Sequence, residues 1–127
     1  MAALLRTLFL IIALLCITNT VVLGDPDTTL LSYACNPNKI SGRAAKEGLS
    51  YTLQLLVLET PKANTYDYGT DTSGWYGHGN CNTALSSSDC RTCMDSARTE
   101  IGDNCPLSDG AQVKLQDCKL RYENHPF

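Results

Sequence analysis

The chain is short of positive charge. Its 127 residues hold 10 Lys and Arg against 13 Asp and Glu, a formal net charge of −3 with a pI near 5.2. That balance excludes the usual nucleic-acid binder, which presents a basic stripe. Histidine is scarce too: His78 and His125 lie in unrelated segments, so no metal or catalytic cluster is expected around them. No GxSxG, HExxH or phosphate-cradling glycine loop occurs, and no spacing singles out a carboxylate pair. Neither an enzyme nor a cofactor nor a metal is therefore expected. No apolar run reaches the roughly 20 residues of a membrane span, and no Asn-x-Ser/Thr sequon for N-glycosylation is present.

Cysteine, by contrast, is abundant, and seven in so short a chain point to a disulfide framework. The length fits one domain, and 43% hydrophobic residues are too many for a disordered chain. Residues 1–24 read as a secretory signal peptide. Arg6 supplies a positive charge, Leu8 to Ile17 form a ten-residue apolar run, and Val22-Leu23-Gly24 looks like a small-residue cleavage site. Removal after Gly24 would leave residues 25–127 and would take Cys16 away. Six cysteines then remain, Cys35, Cys81, Cys90, Cys93, Cys105 and Cys118, an even set that suits three bridges. The same cut leaves 9 basic against 13 acidic residues, which excludes a simple cationic attack on anionic lipid. Cys90-x-x-Cys93 has the spacing of a redox pair or half a zinc site, but the secretory route and four further cysteines favour structural bridges.

Residues 25–127 read as a small α+β domain. Thr28 to Cys35 is β-prone, with Leu31, Tyr33 and Cys35 alternating, and Asn36-Pro37-Asn38 makes a turn. From Arg43 to about Glu59, Ala45, Leu49, Leu53 and Leu56 recur at helical spacing, and Pro61 ends the helix. Residues 62–80, rich in Gly, Asp, Thr and Tyr, suggest a long loop or an irregular hairpin. A second helix carries Cys90, Cys93, Met94, Ala97 and Ile101 on one face. Ser86 and Asp89 form a possible capping box at its start, and Gly102 and Pro106 bracket its end. Residues 111–123 alternate apolar and polar, with a phase slip at Gln116-Asp117 that means a bulge or a tight turn. The wet face of this segment carries Gln112, Lys114, Lys119, Arg121 and Glu123.

The spacing Cys81-x8-Cys90-x2-Cys93 resembles the signature of the plant ginkbilobin-like domain of cysteine-rich secretory proteins. Ala34-Cys35-Asn36, Tyr66-Asp67-Tyr68, Tyr76-Gly77, Cys105, Gly110-Ala111, Asp117-Cys118 and Tyr122-Glu123 extend the likeness over nearly all of residues 25–127. The resemblance implies a disulfide-stapled single domain, with two helices packed on an antiparallel sheet of about five strands. It implies the pairings Cys35–Cys105, Cys81–Cys90 and Cys93–Cys118. It also implies a plant defence protein, secreted to the apoplast, that binds mannose or mannan-type glycans of the fungal cell wall; a monomer is expected.

The family's sugar site uses an Asn directly after the first Cys, an Arg before the last Cys and a Glu near the C-terminus. The matching positions are Asn36, Gln112 and Glu123, so Gln112 departs from the pattern. A carboxylate accepts from neighbouring sugar hydroxyls, and an Asn both donates and accepts. A neutral Gln forgoes charge-assisted donation, worth about 1.5–3 kcal/mol against about 0.5–1.5 kcal/mol for a neutral bond, so weakened or altered mannose binding is expected. Tyr66, Tyr68, Trp75 and Tyr76 either offer a stacking platform for sugar rings or pack a Gly-rich stretch onto the sheet. The rival expectation is an extracellular protein-interaction module, like the family's receptor ectodomains, in which the sugar site is vestigial.

Overall fold

The computed structural model describes residues 2–7 and 25–127; most of the expected signal peptide, with Cys16 and the residue before the cleavage point, lies outside them. From residue 25 onward five strands and two α-helices follow in the order β1 (Leu30–Cys35), α1 (Arg43–Glu59), β2 (Asp67–Thr72), β3 (Trp75–Cys81), α2 (Ser87–Asn104), β4 (Gly110–Leu115) and β5 (Cys118–Glu123). The strands form one antiparallel sheet in the order β1-β4-β5-β3-β2. The helices cover one face of it, burying Ala111, Val113, Leu115, Cys118, Leu120 and Tyr122 of the two central strands.

α2 starts where Ser86 Oγ accepts a hydrogen bond from the Asp89 N–H at 3.1 Å, satisfying one orphan donor of the first turn. Its expected inner face, Cys90, Cys93, Met94, Ala97 and Ile101, is buried throughout. α1 begins after Gly42, whose φ of 87° suits only glycine comfortably. It buries Gly48, Leu49, Thr52, Leu56 and Val57, so two small residues share the inner stripe with the expected leucines. The chain leaves α1 through a short 3-10 turn, Thr60–Lys62, that contains Pro61.

Of the two expected alternatives the hairpin is the one that forms, and over residues 67–81 it is regular, with six successive pairs from Asp67–Asn80 to Thr72–Trp75 around Ser73-Gly74. The glycines that disguise this hairpin in the sequence serve the helices above it. A methyl at Gly77 would stand 3.0 Å from Leu56 Cδ1, and one at Gly79 would stand 2.6 Å from both Met94 Cε and Thr60 Oγ1. The slip at Gln116-Asp117 is a two-residue turn between β4 and β5. Three disulfides staple α2 to the sheet: Cys35–Cys105 joins β1 to the residue after α2, Cys81–Cys90 joins β3 to its first turn, and Cys93–Cys118 joins it to β5.

Candidate functional site: the open face of the sheet

Opposite the helices, alternate residues of the five strands form three rows. One row holds Ser32, Lys114, Lys119, Asn80 and Asp67, and the next holds Ala34, Gln112, Arg121, His78 and Gly69. The third holds Asn36, Gly110, Glu123, Tyr76 and Asp71. Successive rows lie about 7 Å apart, twice the rise per strand residue.

Asn36 and Glu123, 87 residues apart in sequence, meet in the third row, where Asn36 Nδ2 donates to Glu123 Oε2 at 2.9 Å. They meet across β4 because the residue between them has no side chain: a Cβ at Gly110 would overlap both Glu123 Oε2 and Asn36 Nδ2. Glu123 is only 6% exposed, and a carboxylate so placed needs partners. Arg121 provides a guanidinium, its Nε and Nη2 each donating to Glu123 Oε1 at 3.3 Å. His125 Nε2 lies 3.6 Å from Oε2. The Phe127 ring covers Arg121, with 4.1 Å between the guanidinium carbon and the ring centroid.

The backbone of Asn36 is pinned on both sides. Its N–H donates to the Gly110 carbonyl at 2.8 Å, and its carbonyl accepts from Ser108 Oγ at 2.9 Å. Ser108 is fully buried, and its own carbonyl accepts from the Tyr122 hydroxyl at 2.7 Å. Burial, aided by the charges of Asp109 and Glu123, pushes the Tyr122 pKa up to about 12, so the hydroxyl remains a donor. The site is therefore wired to the core through Tyr122, Ser108 and Asn36.

Gln112 lies one row away, between Ala34 and Arg121. Among the described residues its side chain makes no hydrogen bond with Asn36 or Glu123. The structure thus joins Asn36 to Glu123 and leaves Gln112 beside the pair. The positive charge that Gln112 lacks reaches Glu123 from Arg121, a residue the sequence placed on the wet face without a role. Ser108 carried no sequence signal, and Tyr76 carried one only as a family position and as one of four candidate stacking aromatics. Gly110 carried a faint one, since a glycine at the head of a strand marks close approach.

Of the four aromatics considered as a platform, Tyr76 alone stands on the open face, opposite Glu123. Trp75 is buried, donating to the Ala45 carbonyl at 3.1 Å with its ring edge-on to Tyr122 at 5.7 Å. Tyr66 donates to the Leu85 carbonyl at 3.0 Å, and both it and Tyr68 pack against the core. The four-ring platform does not form.

These features define a class: a small disulfide-stapled α+β domain with an open, polar sheet face. The family described as salt stress response/antifungal matches residues 32–125. The chain is 36% identical over 109 residues to an antifungal ginkbilobin-like protein of Picea abies, covering 80% of this chain and 99% of that protein. It is 34% identical over 108 residues to antifungal protein ginkbilobin-2 of Ginkgo biloba, covering 80% of each. The crystal structure of the tandem DUF26 ectodomain of the Arabidopsis thaliana cysteine-rich receptor-like protein PDLP8 matches 80% of this chain with a TM-score of 0.68 and 29% identity. This chain spans about half of that ectodomain, 51%. The chain belongs to the salt stress response/antifungal family.

Proposed function

We propose that this protein is a secreted plant defence protein that acts against fungi by binding mannose-type glycans of their walls. The observation that carries the reading is the Asn36–Glu123 pair, closed over Gly110 at 2.9 Å on a sheet face that, among the described residues, no helix covers. Glu123 keeps acceptor capacity for a sugar hydroxyl, Asn36 offers a second amide proton and a carbonyl, and Tyr76 offers an aromatic edge beside them. Gln112 lies within reach of the same ligand as a neutral donor. No covalent chemistry and no metal is needed. Residues 1–24 direct the chain to the secretory route and residues 25–127 form the working domain.

The test is a glycan array probed with the oxidised protein beside Asn36→Ala and Glu123→Gln variants. Glu123→Gln keeps the shape and one acceptor oxygen, but it removes the charge and replaces the other acceptor with an NH2 donor. Mannose-selective signal lost in both variants is expected, and undiminished signal in both would place any sugar elsewhere.

A second reading has its own observation. Leu31 and Tyr33 of the edge strand β1 are 48% and 52% exposed, a surface suited to a protein partner, as in an extracellular interaction module. Binding to a protein that free mannose does not displace, and that Tyr33→Ser weakens, would favour it.

A further inference from the structure

The geometry points to a second subsite on the same sheet face, which takes an anionic substituent, a phosphate or a carboxylate, of an oligosaccharide that has another of its sugar units at Asn36–Glu123. It rests on the mannose reading and names the ligand more narrowly.

Lys114 and Lys119 stand directly opposite each other on β4 and β5. Like charges so placed weaken a sheet. The register cannot slip by one residue to part them without turning Val113 and Leu120 out of the core. Among the described residues, neither ammonium has a carboxylate within ion-pair distance, although the chain has more acid than base. Glu123, Asp67 and Asp117, which share the open face or the β4–β5 turn with the lysines, are committed elsewhere. Glu123 holds Asn36 and Arg121, Asp67 holds His78, and Asp117 accepts from the Asp27 N–H and from Asn82.

The lysine pair borders a trough of about 430 Å3, deepened by the short side chains of Ser32 and Ala34 and walled by Gln112 and Arg121. A neutral sugar gains little from two unpaired ammonium groups, whereas a phosphate or carboxylate gains from both. The lysines lie two rows from Glu123, about 14 Å along the strands, so the charged group belongs to a different sugar unit from the one at the pair. Two unpaired lysines on a chain of net charge −3 make a spot rather than a surface. The summed field repels a polyanion such as RNA or an acidic bilayer, while one bound group feels the local pair.

The test compares binding of a neutral mannose oligosaccharide with its phosphorylated counterpart, an oligogalacturonate and phosphatidylserine vesicles. It uses the oxidised protein and a Lys114→Gln/Lys119→Gln variant. Wild type should prefer the phosphorylated mannose oligosaccharide by about tenfold at low salt. The preference should shrink as the Debye length falls from about 30 Å at 0.01 M towards about 3 Å at 1 M. The variant should melt at or above the wild-type temperature, lose the preference and keep neutral binding within about twofold. Response to oligogalacturonate as well would assign the subsite to anions in general; response to phosphate alone would assign it to phosphorylated glycans. Neutral binding that is lost in Asn36→Ala, with no phosphate preference, overturns this inference alone. No mannose binding of either kind overturns the reading beneath it. Lysine-dependent capture by vesicles without sugar binding would make the face a membrane contact and overturn both.

Discussion

Gly110→Ala should break the site while leaving the sheet in register. The added methyl enters space held by Glu123 Oε2 and Asn36 Nδ2. Both are side-chain ends, so they turn away and β4 keeps its place. What is lost is one hydrogen bond to a charged acceptor, worth about 1.5–3 kcal/mol, at a carboxylate left with fewer partners. Restricting the unfolded chain returns about 0.4–1 kcal/mol. The net loss is about 1–2 kcal/mol, a fall in Tm of about 4–16 °C at 4–8 °C per kcal/mol. Gly102 provides the control. It is an exposed helical glycine of α2 where an added Cβ would meet, among the described residues, nothing within 4 Å beyond its own helix, so the same substitution there should stabilise by about 0.5–1 kcal/mol. Calorimetry on the two variants reads opposite signs from one chemical change. Titration with a mannose oligosaccharide then asks whether Gly110→Ala alone weakens binding. A Gly110→Ala protein that melts at or above wild type, as Gly102→Ala does, would refute the closure of Asn36 and Glu123 over residue 110.

Removing the Tyr122 hydroxyl with Tyr122→Phe should cost about 1–2 kcal/mol, because the buried Ser108 carbonyl loses its donor; thermal unfolding measures it. The raised Tyr122 pKa also predicts a pH effect. The folded state keeps the proton to about 12 whereas an unfolded tyrosine releases it near 10. This contribution is therefore complete below pH ~10 and is lost as pH rises towards ~12. Tyr122→Phe should flatten that part of the stability profile. If loop closure dominates, the disulfides rank by sequence separation. Deletion should cost about 4.4 kcal/mol for Cys35–Cys105 at 70, about 3.5 kcal/mol for Cys93–Cys118 at 25 and about 2.6 kcal/mol for Cys81–Cys90 at 9. Paired Cys→Ala variants melted side by side test the order, and a reversed order would assign the effect to native packing around α2.

The parts of the fold that were legible in sequence share one property: their periodicity is set by burial. Cys90, Cys93, Met94, Ala97 and Ile101 mark α2 because that helix has one buried stripe. The segment from 111 to 123 marks β4 and β5 because one face is dry and the other wet. The β2–β3 hairpin was legible only as one of two alternatives, loop or irregular hairpin, because Gly77 and Gly79 are chosen for the helices that press on them, which erases the apolar beat of β3. Strand β1 is the exception: its alternating Leu31 and Tyr33 mark the strand correctly, although both remain exposed at the sheet edge. For the site, the family likeness supplied Asn36 and Glu123 but not their contact, which exists only through strand order. Arg121 was invisible as a partner for the same reason. Its i, i+2 relation to Glu123 places both on one face, yet nothing local says that the carboxylate is buried and in need of charge.

The position of that charge is itself testable. Gln112 and Arg121 are cross-strand partners in one row, so a guanidinium on either residue is a neighbour of the other. If what Glu123 needs is one guanidinium on this face, its strand of origin is secondary. Arg121→Gln alone removes charge-assisted donors from a carboxylate that is 6% exposed. It should cost about 1.5–3 kcal/mol of stability and weaken sugar binding. Gln112→Arg alone should strengthen binding, by about fivefold, because the new cation faces Arg121 and gives up part of its gain to repulsion. The exchange Gln112→Arg/Arg121→Gln restores a single guanidinium at unchanged net charge. Its stability and affinity should return towards wild type, with a coupling energy near 1 kcal/mol in the double-mutant cycle. Strict additivity of the two substitutions would show that Arg121 is held by its own geometry, between Glu123 and Phe127. Position 112 would then have no part in neutralising Glu123, and a glycan could reach it only as a hydrogen-bonding neighbour.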